Sequence, residues 1–130
     1  MFLSTRYLLI SAAVSASLSF FALHAQAHET HSKPQHGGVV AEAASFQAEL
    51  VVKQTEVIIY LSDHGKELAS KGVTGKLTVL ADGKTYSLTL TPKTASQLQA
   101  TLTAPVKTAK FVAQITVPSK PAASVRFELK

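Results

Sequence analysis

The chain contains no cysteine and no tryptophan, and its one methionine is Met1. Without thiols it has no disulfide, no thiol redox centre, no thiolate metal site and no lipoprotein attachment point. Removal of Met1 with an export signal also takes the last thioether. That disfavours soft-ligand capture of Cu(I) and leaves imidazole, amine, carboxylate or water as metal donors. No glycine-rich loop is present to cradle phosphate, and the 8 acidic residues are too dispersed for a paired-carboxylate mechanism. The lysines are scattered and no basic-aromatic strip occurs, so nucleic-acid binding is not expected. Those lysines suit solvated strand faces instead.

Residues 1–27 carry the three parts of an export signal: Arg6 in a short head, an apolar run from Tyr7 to Leu23, and Ala25-Gln26-Ala27 as a small-residue cleavage site. The run approaches the ~20 residues of a spanning helix, but Ser11, Ser15, Ser17 and Ser19 dilute it, which favours removal over an anchor. A second, poorer site at Leu23-His24-Ala25 would leave Gln26 first. Cleavage after Ala27 leaves 103 of the 130 residues, enough for one domain and too few for two. Lys plus Arg then falls from 13 to 12 against 8 acidic residues, a net charge near +4. The expected product is a periplasmic protein that does not span the membrane.

From Ser45 onward the apolar pattern has period two, not 3.6. Phe46, Ala48, Leu50 and Val52 alternate with Gln47, Glu49 and Lys53, as in a half-buried strand. Val57-Ile58-Ile59-Tyr60-Leu61 is apolar on both faces and suits a central strand covered on both sides. Leu77, Val79 and Leu80 lead to Asp82-Gly83, and Tyr86, Leu88 and Leu90 follow, which reads as a hairpin with a two-residue type I′ turn. Leu98 to Leu102, Phe111 to Val117 and Val125 to Leu129 complete about seven strands. Pro92, Pro105, Pro118 and Pro121 fall between the runs, where a missing N–H does no harm. The expected fold is all-β: an immunoglobulin-like sandwich of short antiparallel strands over residues 38–130, with a small barrel as the alternative. Glu67 to Lys71 could form one helical turn or a loop. Residues 28–37 are polar, aperiodic and interrupted by Pro34, and read as a flexible tail.

Cleavage leaves His28, His31, His36 and His64 as the histidines. A terminal His28 offers its amine and its ring to one ion as a chelate, and a second imidazole would complete a three-nitrogen site suited to Cu(II). Zn(II) also accepts imidazole in a four-coordinate site. A nine-residue flexible tail spans roughly 15–18 Å, comparable to the ~13 Å radius of gyration of such a domain, so it can fold back to His64. Asp63-His64-Gly65-Lys66 follows the most apolar strand. Pattern favours a tight turn there, with His64 as a ligand oriented by Asp63 as the sharper reading. Ser62, Asp63 and His64 are the residue types of a hydrolytic triad, but strand neighbours point to opposite faces and no nucleophile elbow occurs, so no enzyme is expected.

His36-Gly37-Gly38, Glu49-Leu50-Val51, Val57 through Lys66 and Gly75-Lys76-Leu77-Thr78-Val79-Leu80 together resemble small periplasmic proteins encoded beside heavy-metal efflux systems. They are also similar to a β-domain of periplasmic adaptor subunits of RND-type metal exporters. The resemblance covers roughly residues 36–104 and is most specific at His-Gly-Gly and Asp-His-Gly-Lys. It implies an exported β-rich accessory domain linked to copper, zinc, cadmium or cobalt handling, with His36 and His64 as its matched residues and Asp63 more weakly so. His28 and His31 inherit nothing from it. The coiled-coil hairpin and other domains of an adaptor are lacking, so the chain cannot itself bridge a pump to an outer-membrane channel.

These readings converge on a periplasmic protein that holds Cu(II) or Zn(II) through His28, His31, His36 and His64. It would buffer the ion or deliver it to an adaptor or pump of a metal efflux system. The rival reading is an interaction module that touches no metal and docks on an efflux or envelope component through a strand edge.

Overall fold

The computed structural model describes residues 33–130. The expected export signal, its cleavage site, His28 and His31 therefore lie outside the described residues. Within them the chain forms nine strands and no helix: β1 (Val39–Glu42), β2 (Gln47–Lys53), β3 (Glu56–Asp63), β4 (Lys66–Glu67), β5 (Thr74–Ala81), β6 (Lys84–Pro92), β7 (Gln97–Thr101), β8 (Ala109–Thr116) and β9 (Ala123–Leu129). The expected runs are all strands. The additions are β1, whose Val39-Val40-Ala41 is too short for alternation to register, and the two-residue β4, which replaces the start of the possible helical turn.

Every pairing is antiparallel, along one path β1-β2-β3-β7-β6-β5-β8-β9, with β4 beside β3. The two ends of the path, β1 and β9, come together, so the sheet curls into a nearly closed barrel. β6 is the joint in this path. Its residues from Lys84 to Leu90 pair with β5, and only Thr91 and Pro92 pair with β7.

Period-two alternation fills the interior. Phe46, Ala48 and Leu50 from β2 and its lead-in, Val57, Ile59 and Leu61 from β3, Leu77 and Val79 from β5, and Phe111, Ala113 and Ile115 from β8 are buried together. Two-residue turns set the register at both hairpins that matter here. Asp82 and Gly83 have φ of 52° and 71°, with Ala81 opposite Lys84, as the Asp-Gly pair predicts. His64 and Gly65 have φ of 48° and 79°, with Asp63 opposite Lys66. The Asp-His-Gly-Lys stretch is therefore a β3–β4 hairpin turn.

β3 lies between β2 on one side and β7 with β4 on the other. Its two-sided apolar character matches its burial: Val57, Ile59 and Leu61 face the core, and Ile58 on the opposite face is also buried. The outer faces of β2 and β3 carry the candidate site.

Candidate functional site

Strand alternation turns Glu49 away from the core, yet it is buried at 6% exposure. The segment preceding β1 covers it. The backbone N–H groups of His36 and Gly38 donate to Glu49 Oε1 at 2.8 and 3.0 Å, and the N–H of Gln35 donates to Oε2 at 3.0 Å. The His36 ring completes the set, with Nδ1 2.9 Å from Oε2. Burial pushes the Glu49 carboxyl up, but the hydrogen bonds from the Gly38 N–H, the His36 ring and the His36 and Gln35 N–H groups together hold it below the ordinary value. Glu49 is thus an internal anion satisfied by four N–H donors.

The two glycines after His36 make this wrap possible. Gly37 has a φ of 72°, and a Cβ on Gly38 would collide with the Leu50 backbone carbonyl. The first lets the chain reverse and the second lets it lie flat on β2. Directly opposite Glu49 in the β2–β3 register is Tyr60. The His36 ring stacks on Tyr60 with centroids 3.5 Å apart and planes 4° from parallel.

This geometry fixes the His36 tautomer. An ionised carboxylate only accepts, so Nδ1 carries the proton and, in the neutral ring, Nε2 carries the lone pair. Among the described residues Nε2 has no hydrogen-bond partner. The ring is 42% exposed. A carboxylate–histidine pair with a free Nε2 is the arrangement that commonly supports a metal-bound imidazole, because it sets ring orientation and raises basicity.

Nearby, an open groove of about 710 Å³ is lined by His36, Tyr60, Gln47, Ser62, His64 and Glu67, among others. His36 and His64 therefore share one groove and do not lie at opposite ends of the domain. His64 itself projects from its turn at 97% exposure, with Nε2 3.5 Å from Asp63 Oδ1. The turn is held by Lys120, whose ammonium donates to Asp63 Oδ2 at 2.9 Å. That hydrogen bond, helped by the charges of Lys120 and His64, holds the Asp63 carboxyl below its ordinary value against the opposing effect of desolvation.

Among the described residues no three His, Cys, Asp or Glu side chains are grouped to hold a metal ion. His36 is positioned by Glu49, His64 lines the same groove from its turn, and His28 and His31 fall outside the described residues. Three participants were not anticipated. Glu49 reads in sequence as one polar residue on a solvated strand face, Tyr60 as part of an apolar run, and Glu67 as the start of one helical turn or a loop. One signal did point to Glu49: if the outer face of β3 is covered, its neighbour on β2 is covered too. Lys33 and Gln35 also line the groove, so the chain enters the described domain beside the site. No protein-family model matches this chain, and neither a curated protein nor a solved structure is significantly similar to it.

Proposed function

We propose that this chain is an exported accessory protein that binds one divalent transition metal ion, Cu(II) or Zn(II), and buffers it or passes it to a heavy-metal efflux system. The single observation carrying this reading is the Glu49–His36 pair, which leaves an oriented Nε2 open at a groove that also receives His64. Imidazole is a preferred donor for both ions. His36 serves as the anchoring ligand. His64 is the second ligand in this reading, its exposed side chain lining the same groove. His31 precedes His36 by five residues, an extended span of at most about 18 Å, so the preceding segment is long enough to bring further imidazoles. The Glu67 carboxylate is a further hard donor on the groove wall. The proposal assigns binding and delivery, not catalysis.

Export fits the same reading, with residues 1–27 removed as a signal and His28 as the new terminus. The finer fold we propose is a sandwich. One layer is β1, β2, β3 and β7, the other is β5, β8 and β9, and β6 passes between them. The family resemblance around His36 and His64 supports the efflux context.

Calorimetric titration of the processed protein with Cu(II), Zn(II), Ni(II) and Co(II) tests the reading. One ion bound at micromolar affinity or tighter is expected. His36→Ala and His64→Ala each weaken uptake at least about tenfold, and Glu49→Gln weakens it about 10- to 100-fold through the tautomer it fixes. Absence of stoichiometric uptake removes the metal function, and a His64→Ala curve superimposable on the parent removes His64 from the site.

A further inference from the structure

β6 presents an unpaired edge. A two-residue turn makes Ala81 and Lys84 a hydrogen-bonded pair, so by alternation Tyr86, Leu88 and Leu90 bond to Val79, Leu77 and Gly75 of β5. The N–H and C=O groups of Thr85, Ser87 and Thr89 therefore point away from β5. β7 pairs with β6 only at Thr91 and Pro92, and Thr85, Ser87 and Thr89 are all exposed. Among the described residues nothing pairs with these backbone groups. The usual guards of an edge are charges, especially lysine, and proline. Here Lys84 sits at the extreme start, and Pro92 lies where β7 already covers the strand. β9, by contrast, carries Arg126 and Glu128.

The edge is complementary to itself. In antiparallel pairing about a two-fold axis through Ser87, Ser87 faces the second copy's Ser87 and Thr85 faces the second copy's Thr89. Outward-pointing residues then meet only outward-pointing residues, so every free N–H and C=O of Thr85, Ser87 and Thr89 finds a partner. Tyr86 falls opposite the second copy's Leu88, an aromatic–aliphatic cross-strand pair, and Thr85 with Thr89 is a favourable hydroxyl pair. Lys84 falls opposite Leu90, so no like charges meet. Moving the axis to Thr89 would pair Ser87 with Thr91, whose edge β7 already occupies.

We propose that the chain forms a symmetric homodimer through β6, continuing the sheet from one copy into the next. The partner is a second copy of this chain, not a foreign strand, and the dimer does not depend on metal binding.

Sedimentation equilibrium of the processed protein from micromolar to millimolar concentration is the test, with a monomer–dimer equilibrium expected. Ser87→Lys sets two ammonium groups face to face at the axis and raises the dimer dissociation constant at least about tenfold, with an unchanged circular dichroism spectrum. A Thr85→Lys/Thr89→Lys variant and a Thr85→Glu/Thr89→Glu variant each remain monomeric alone and form a heterodimer when mixed. Should Ser87→Lys fail to fold, the mixing experiment decides. A parent protein that is monomeric throughout, or charge variants that do not pair on mixing, overturns the proposal; so does a β6 that binds only a foreign strand.

Discussion

Glu49 decides how the segment before β1 is held, because its carboxylate accepts from the N–H groups of Gln35, His36 and Gly38 together. Replacing it by Gln exchanges one accepting oxygen for an NH₂ that faces donors, so part of the set is left unsatisfied. We expect Glu49→Gln to cost about 1–3 kcal/mol at neutral pH. The pH dependence has a definite sign. Burial opposes ionisation and the Gly38, His36 and Gln35 hydrogen bonds overcome it, so the folded carboxyl lies below 4.5, its ordinary value. A depressed carboxyl contributes stability that is complete above its unfolded value and is lost as pH falls through its folded value. Urea unfolding of the parent and of Glu49→Gln between neutral pH and strong acid should show a gap that is constant above about pH 5 and closes below it. A gap independent of pH would mean that the carboxylate charge contributes nothing.

At the scale of elements, the β3–β4 turn carries both a backbone role and a candidate ligand. His64 holds a positive φ of 48° at the first turn position, where Asn followed by Gly is the favoured pair. His64→Asn should therefore keep stability or raise it by about 0.5 kcal/mol while removing an imidazole from the groove. Thermal melts paired with metal titration separate the two roles: a melt that falls shows His64 to be needed by the turn, and uptake that is unchanged shows it is not a ligand. Gly38→Ala should act in the opposite way, by driving a Cβ into the Leu50 carbonyl. It displaces the segment from Glu49, and faster amide exchange at Gln35 and His36 would report it.

These elements also show what could be read from the chain. Alternation at Phe46, Ala48 and Leu50 and the Asp82-Gly83 turn placed strands and a hairpin correctly, because both signals are local. The Asp63–Lys66 turn was legible for the same reason. The grip of Glu49 on residues 35–38 was not, because it joins positions more than ten residues apart through backbone N–H groups that every sequence possesses. Likewise β1 is a strand only because β2 is there to pair with it, Val39 opposite Leu50.

For the molecule as a whole, metal binding at His36 would couple to folding. In the unfolded chain Glu49 no longer orients the His36 ring, and the groove shared with His64 is absent. The ion should then bind the native state far better than the unfolded one, and stability rises by RT ln(1 + [L]/Kd). At a free metal concentration a hundred times Kd this is about 2.7 kcal/mol, which for a domain near 100 residues corresponds to a rise in Tm of roughly 10–20 °C. The variants grade the effect. A tenfold loss of affinity removes about 1.4 kcal/mol of this gain at the same metal concentration, so His36→Ala and Glu49→Gln should show clearly smaller shifts than the parent, and Ser87→Lys at the β6 edge the full shift. Differential scanning fluorimetry with Zn(II), followed by excess chelator, makes the comparison. A shift of equal size in all four proteins would show that the ion acts somewhere other than the Glu49–His36 pair.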